Sequence, residues 1–188
     1  MPQTPDIIPT LETRRLQLRP LALSDAPAIQ ALFPQWEIVR YLTDSIPWPY
    51  PADGAESFLR NVALPGMACG EEWHWSLRPK LEPEILIGGI SLMARPGDNR
   101  GFWIAPDWRK QGLMSEACDA VTDFWFDVLG QEVLQVPKAG ANIASRRISE
   151  RGGMRIIRTE MRAYVSGSHF AEIWELTAAE WRARRAAR

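Results

Sequence analysis

The sequence predicts a single α/β domain with a mixed, mostly antiparallel sheet of about six to seven strands flanked by helices. Three observations carry that expectation. Short stretches alternate apolar and polar residues, as in Trp73-His74-Trp75-Ser76-Leu77, the pattern of a half-buried strand. One long stretch instead repeats Leu113, Ala117, Val121, Phe124 and Val128 at helical spacing. Turn and cap residues separate these stretches, and no internal repeat or low-complexity linker interrupts their order. At 188 residues the chain is long enough for one domain with a sizeable core.

The elements follow in order. Residues 1–12 hold Pro2, Pro5 and Pro9 and read as an irregular arm. Leu16 and Leu18 then alternate as a strand, and Ser24 is placed as the N-cap of a helix with Ala28, Ile29, Leu32 and Phe33 as its apolar stripe. "IPWPYPADG" is a proline-rich loop ordered by its rings, and "AESFLRNVAL" resumes as a helix. Three strands follow: "WHWSL", with Trp73, Trp75 and Leu77 on one face; "EPEILIGGISLMA", whose central Gly88 and Gly89 mark a bulge or a close approach; and "RGFWIAP", ended by Pro106. The long helix stops at Gly130. "EVLQV" is a short strand, and "NIASRRISERGG" a helix closed by Gly152 and Gly153. "RIIRTEMRAYV" and "AEIWEL" are the last strands, with "SGSH" as their turn, which would leave His169 exposed. Thr177 and Glu180 have the spacing of a capping box opening a final helix, whose basic end "WRARRAAR" complements a helix C-terminus.

Composition narrows the function classes. A net charge of −1 gives no global field toward nucleic acid or a membrane, so neither is expected as a partner. No apolar run approaches the ~20 residues of a membrane span, and the start lacks the pattern of a signal peptide, so a cytoplasmic protein is expected. Nine tryptophans are many for this length, and some are expected to line a pocket. Cys69 and Cys118 do not suggest an oxidative framework. Together with His74 and His169 they lack ligand spacing, so no metal is expected. G-x-S-x-G is absent, which argues against a nucleophile-elbow hydrolase.

The stretch with most chemistry is "DWRKQGLMSEA", residues 107–117. Arg109, Lys110 and Gly112 stand at the mouth of the long helix. A helix N-terminus presents unpaired N–H groups and partial positive charge, and a glycine there allows close approach of an anion. Neither G-x-x-x-x-G-K-[ST] nor G-x-G-x-x-G is present. The residues alone leave open a helix start whose cations are merely solvated.

The wider segment "WIAPDWRKQGLMSEA" resembles the acyl-CoA-binding segment of the GCN5-related N-acetyltransferase (GNAT) family: a strand, a proline, then [RQ]-x-x-G-x-[GA] at a helix start. Arg109 and Gly112 match, whereas Met114 replaces the small last residue. "NIASRRISERGGM" resembles a second family segment through Asn142, Ser145 and Gly153, and "LETRRLQLRPLALSDAPAI" resembles the start of the ribosomal-protein N-terminal acetyltransferase subgroup (RimJ/RimL-like). The resemblance implies acetyl-CoA as cosubstrate and direct acetyl transfer to a primary amine, on a small molecule or a protein N-terminus, by a monomer or homodimer. The strand ending at Ile104 would splay from its neighbour and pair with pantetheine. The amides of Lys110, Gln111, Gly112, Leu113 and Met114 would cradle the pyrophosphate beside Arg109, with Ser115 adding a hydroxyl. Asn142 would hold the pantetheine or the carbonyl region, and Ser145 would face the thiol. Met114 would have to turn its side chain away from the phosphates.

The transfer needs a base for the incoming amine. The family often supplies a glutamate on the strand before the asparagine segment, but "LQVPKAGAN" offers none. His74, beside Glu72 on its strand, is the candidate base, the alternative being a structural ring. Tyr164 is placed at the border of the acceptor site, and the rings of "IPWPYP" beside an acyl or acceptor pocket. The missing carboxylate also admits a non-catalytic acyl-CoA-binding sensor or scaffold.

Overall fold

The computed structural model describes residues 8–187. Most of the arm expected over 1–12 lies outside them, but Leu11–Glu12 form a short strand, β1, rather than irregular chain. It pairs antiparallel with β2 (Leu16–Pro20), followed by α1 (Ala26–Leu32), α2 (Trp36–Val39) and α3 (Gly54–Phe58). A wider helical turn over Leu59–Ala63 carries α3 on into α4 (Leu64–Ala68). Then come β3 (Glu72–Pro79), β4 (Gly88–Met93), β5 (Arg100–Ile104), α5 (Leu113–Asp123), β6 (Val133–Ala139), α6 (Ile143–Arg151), β7 (Arg155–Tyr164), β8 (Gly167–Thr177) and α7 (Ala178–Ala186).

The α/β architecture matches expectation, but the strands form two sheets. One has five strands in the order β1-β2-β3-β4-β5 and the other three in the order β6-β8-β7, and every laddered pair is antiparallel. The five-stranded sheet is covered on both faces. Leu18, Trp75, Ile90 and Leu92 pack with Leu113 and Val121 of α5, Phe124 just after it and Trp181 of α7 on one side. The other side is a separate core of Ile29, Phe33, Leu59 and Leu86, joined by Trp103 and Tyr50. Tyr50 meets Phe33 edge-on at 5.2 Å, so rings do anchor the proline-rich loop.

Four local expectations need correction. Ser24 is not an N-cap: it lies inside a 3₁₀ turn, Leu23–Asp25, where Asp25 Oδ2 accepts from the Ala22 N–H at 3.0 Å. Gly88 and Gly89 open β4 instead of sitting in mid-strand. A Cβ on Gly88 would stand 2.5 Å from the Trp103 carbonyl oxygen, and one on Gly89 2.8 Å from Trp103 Nε1, so the close approach is real and Trp103 is its partner. Val128 is 47% exposed because a turn with i→i+5 bonds, Phe124–Val128, delays the helical phase after α5 and buries Phe124, Trp125 and Phe126 instead. His169 is not in the turn but in β8, half-buried, 2.8 Å from Ser166 Oγ and edge-on to Tyr41. The Thr177–Glu180 capping box is present as expected.

Candidate active site

The two sheets meet at β5 and β6, which no ladder joins; Asn99 lies against Gln135 and Phe102 against Lys138, so the two strands run in the same direction. At one end Asn99 N–H donates to the Gln135 carbonyl at 2.8 Å, and Gln135 N–H donates to Asn99 Oδ1 at 2.8 Å. Beyond that point the strands part, and their backbones explain why. Asn99 and Ala105 bond to β4, through Met93 N–H to Asn99 O and Ala105 N–H to Ile87 O. Backbone groups alternate sides along a strand, so those of Arg100, Phe102 and Ile104 face β6. On β6, Gly140 N–H serves β8 while Gln135 serves Asn99, which turns the position of Pro137 toward β5. Proline has no N–H to offer there, so the ladder cannot continue. The result is a cleft whose β5 wall keeps a backbone edge with no strand partner.

Ile104 leads from this edge into a 3₁₀ turn, Pro106–Trp108, and then into α5. Lys110 (φ 62°) and Gly112 (φ 79°) are both left-handed, and Gly112 stands at the N-cap of α5, whose first N–H groups have no partner within the helix. Met114 is 5% exposed and packs in the core, so its side chain points away from the loop mouth. Ser115 faces a cavity of about 70 Å³ between α5 and α6 that Arg100 and Thr122 also line.

The side chains of Arg109 and Gln111 both bond back to the chain around the loop. Arg109 folds back, donating from Nε to the Ile104 carbonyl at 3.2 Å and standing 3.8 Å from the Glu37 carboxylate. Gln111 donates to Asp107 O at 3.2 Å while its own carbonyl accepts from Arg15. The loop is held instead by Glu116, which sequence reasoning did not single out. Its carboxylate accepts from Thr13 Oγ1 (2.5 Å), Arg15 N–H (2.7 Å) and Arg15 Nε (2.9 Å). Burial raises its pKa, but these donors outweigh burial and the net shift is downward.

Asn142 is the N-cap of α6, its Oδ1 accepting from Ser145 N–H at 3.2 Å. Ser145 is buried in the first turn of that helix. Both lie on the α5 side of the five-stranded sheet, as the packing of Ile148 against the larger core requires.

His74 stands apart, on the opposite face of the sheet. It is 3% exposed, edge-on to Phe58, with Nε2 at 2.7 Å from Glu72 Oε2 and Nδ1 at 2.7 Å from Ser91 Oγ. Glu72 also pairs with Arg95. The hydrogen bond with His74, helped by the charge of Arg95, holds the Glu72 carboxyl below its ordinary value despite burial. An ionised Glu72 selects the tautomer with Nε2–H, leaving Nδ1 to accept from the Ser91 hydroxyl. The register sets His74, Ser91 and Gly101 in one row across β3, β4 and β5. Gly101 has no side chain, and a Cβ there would touch only Met93 Cε at 3.9 Å, so the row runs open from Ser91 to the cleft.

The comparisons accord with this geometry. A sequence model described as the acetyltransferase (GNAT) domain matches residues 15–155. The chain belongs to the GNAT acetyltransferase family. A Bacillus subtilis (strain 168) relative, described as the uncharacterized N-acetyltransferase YoaA, is 30% identical over 153 residues, 76% of this chain and 80% of that protein. Among solved structures, Mycobacterium smegmatis RimJ in complex with a CoA-disulfide superposes with a TM-score of 0.79 at 17% identity, covering 92% of this chain and 89% of that one. RimL, a ribosomal L7/L12 α-N-protein acetyltransferase in complex with coenzyme A, gives 0.75 at 17% identity over 93% and 99%. This GNAT domain thus shares its fold with the ribosomal-protein acetyltransferases. Among its described residues no helix is long and apolar enough to cross a membrane, and no group of three or more His, Cys, Asp or Glu could hold a metal.

Proposed function

We propose that the chain transfers an acetyl group from acetyl-CoA to a primary amine by direct attack. The observation that carries this reading is the β5 edge that no strand pairs, opening directly into the left-handed loop and the N-terminus of α5. An extended polar arm can pair with the backbone of Phe102 and with the Ile104 N–H, as a strand would, while a pyrophosphate meets the amides of 110–114. The residues fit such a ligand: no side chain is added at Gly112, and Met114 is withdrawn into the core. In this reading Ser115 adds a hydroxyl and Asn142 contacts the pantetheine arm. Arg109 acts in this reading mainly by fixing the end of β5 and the loop, through the Ile104 carbonyl.

Ser145 hydrogen-bonds the departing thiolate at the start of α6. The acceptor amine arrives from the other face, over Gly101. Ser91 takes its proton and passes its own to His74, whose positive charge Glu72 balances. RimL and RimJ make protein N-termini the first acceptors to test, ahead of small amines.

The test has two stages. Acetyl-CoA at 100 times its dissociation constant should add about 2.7 kcal/mol of stability, read as a raised melting temperature. CoA release is then followed with N-terminal peptides and small amines. No melting shift at millimolar acetyl-CoA would remove the reading. A shift with no acetylation in a broad panel would favour an acyl-CoA sensor.

A further inference from the structure

Lys138 is one of only three lysines, with Lys80 and Lys110, and the other two do not share its surroundings. It lies on β6, on the face shared with Leu134 and Val136, and is 7% exposed. Its Nζ stands 4.3 Å from the centroid of the Phe102 ring on β5. The amine of one cleft wall therefore rests on a side chain of the other wall, across the gap that Pro137 keeps open. Among the described residues Lys138 makes no ion pair. Arg100 on β5 and Cys118 on α5 face it, Asp98 before β5 is engaged by Arg162 at 3.7 Å, and its cross-strand partner Glu172 is held by Arg146 and Trp174. A buried ammonium with a ring for its contact and a guanidinium nearby is poorly stabilised. Burial first, then Arg100, brings the Lys138 pKa down to about 7. A sizeable fraction is then a neutral amine at physiological pH, and a desolvated neutral lysine is a competent nucleophile.

We propose that Lys138 is a self-acetylation site: with acetyl-CoA in the cleft, its Nζ attacks the thioester carbonyl carbon and takes the acetyl group. This rests on the acetyl-CoA reading above. The nitrogen lone pair forms the new N–C bond. The C–S bond breaks with its electron pair on sulfur, and the proton lost by nitrogen goes to that thiolate directly or through water. The products are Nε-acetyl-Lys138 and free CoA thiol, and nothing is oxidised or reduced. The modification replaces a titrating cation with a neutral amide in the cleft, so it would alter the site after a single event per chain.

The experiment incubates the full chain with acetyl-CoA and no acceptor, then maps acetyl groups on Lys80, Lys110 and Lys138 by peptide mass spectrometry. Lys80 is paired with Glu12 at the surface and Lys110 is exposed, so both report non-specific acetylation. Labelling is expected at Lys138 ahead of both. Its initial rate should rise about tenfold from about pH 6 to about pH 8, since the neutral fraction of a group titrating near 7 changes by that factor. Lys138→Arg, which keeps a cation but has no neutral amine, should abolish the label at 138, and Lys138→Met serves if the arginine variant does not fold. A melting shift with acetyl-CoA but no label at Lys138, or labelling no faster than at Lys110, overturns the proposal while sparing the acetyl-CoA reading. No melting shift and no label overturns both.

Discussion

Asn99 and Gln135 clasp the closed end of the cleft with two hydrogen bonds of 2.8 Å, one in each direction. Asn99 Nδ2 also donates to Met93 O at 3.1 Å and to Arg95 O at 2.6 Å, so one buried side chain fixes β4, β5 and β6 together. Asn99→Ala would leave the Gln135 N–H and two carbonyls without it. A loss of roughly 2 kcal/mol is expected, since buried groups left unpaired cost about 1–3 kcal/mol. Urea unfolding measures it, and a loss below about 0.5 kcal/mol would show that the clasp is not what holds the sheets together.

Gly112 is exposed and left-handed, and a Cβ there would meet only Arg15 Nη2, at 3.5 Å. Gly112→Asp therefore carries little steric cost beyond its backbone conformation, about 1–2 kcal/mol. Its carboxylate would stand where the pyrophosphate is proposed to lie. The expected outcome is a folded variant whose melting temperature no longer responds to acetyl-CoA. A parent-like response would place the pyrophosphate elsewhere.

Asn142 and Ser145 should separate binding from chemistry. Asn142→Ala removes the cap of α6, costing about 1 kcal/mol, and should weaken acetyl-CoA binding. Ser145 engages the cap through its backbone N–H, so Ser145→Ala leaves that bond intact. If its hydroxyl meets the thiolate only as the bond breaks, turnover should fall ~100-fold with affinity nearly unchanged. Calorimetry and steady-state CoA release give the two numbers. Unchanged turnover would leave a water as the donor.

These residues also show what was legible beforehand. The motif at 107–117, the asparagine cap and the Thr177–Glu180 box are local, set by neighbours a few residues apart, and a sequence displays such spacing directly. Ser91 and Gly101 depend on strand register, and the Glu116–Arg15 tether joins residues far apart in the chain, which periodicity cannot provide. Pro137 was visible, but only the direction of its missing N–H makes it part of the cleft. Val128 was misplaced because one wide turn shifted the helical phase, and His169 because the final hairpin turn is tighter than "SGSH" suggested.

Lys138 gives a signature in stability as well as in labelling. Its folded pKa, about 7, lies below its ordinary value of 10.5, so between those two values the unfolded chain binds more protons than the folded one. Stability from this group must therefore rise with pH from about 7 toward about 10.5. Lys138→Met should remove that rise and stabilise the protein at pH 7, because a buried cation is replaced by an apolar chain of similar length. Chemical unfolding at several alkaline pH values reads both effects. A variant with the parent's slope would mean that Lys138 keeps its proton throughout.

The Glu72–His74–Ser91 row gives the last prediction, because it sets a proton relay against a merely structural histidine. Ser91→Ala removes the hydroxyl facing the open space over Gly101 and leaves the 2.7 Å His74–Glu72 contact in place. If the row carries the amine's proton, turnover with any accepted amine should fall ~100-fold, with acetyl-CoA affinity unchanged. Glu72→Gln tests the same relay from its other end. A glutamine amide satisfies either tautomer of His74, so Nδ1 is no longer reserved as the acceptor for Ser91, and the acidic limb of the pH–rate profile should move or vanish. A structural ring would behave otherwise: both variants would alter unfolding free energy, and neither would change turnover or the shape of that profile. Measuring the two profiles beside the wild type's therefore decides whether the base lies in this row, and parent-like profiles would remove His74 from the mechanism.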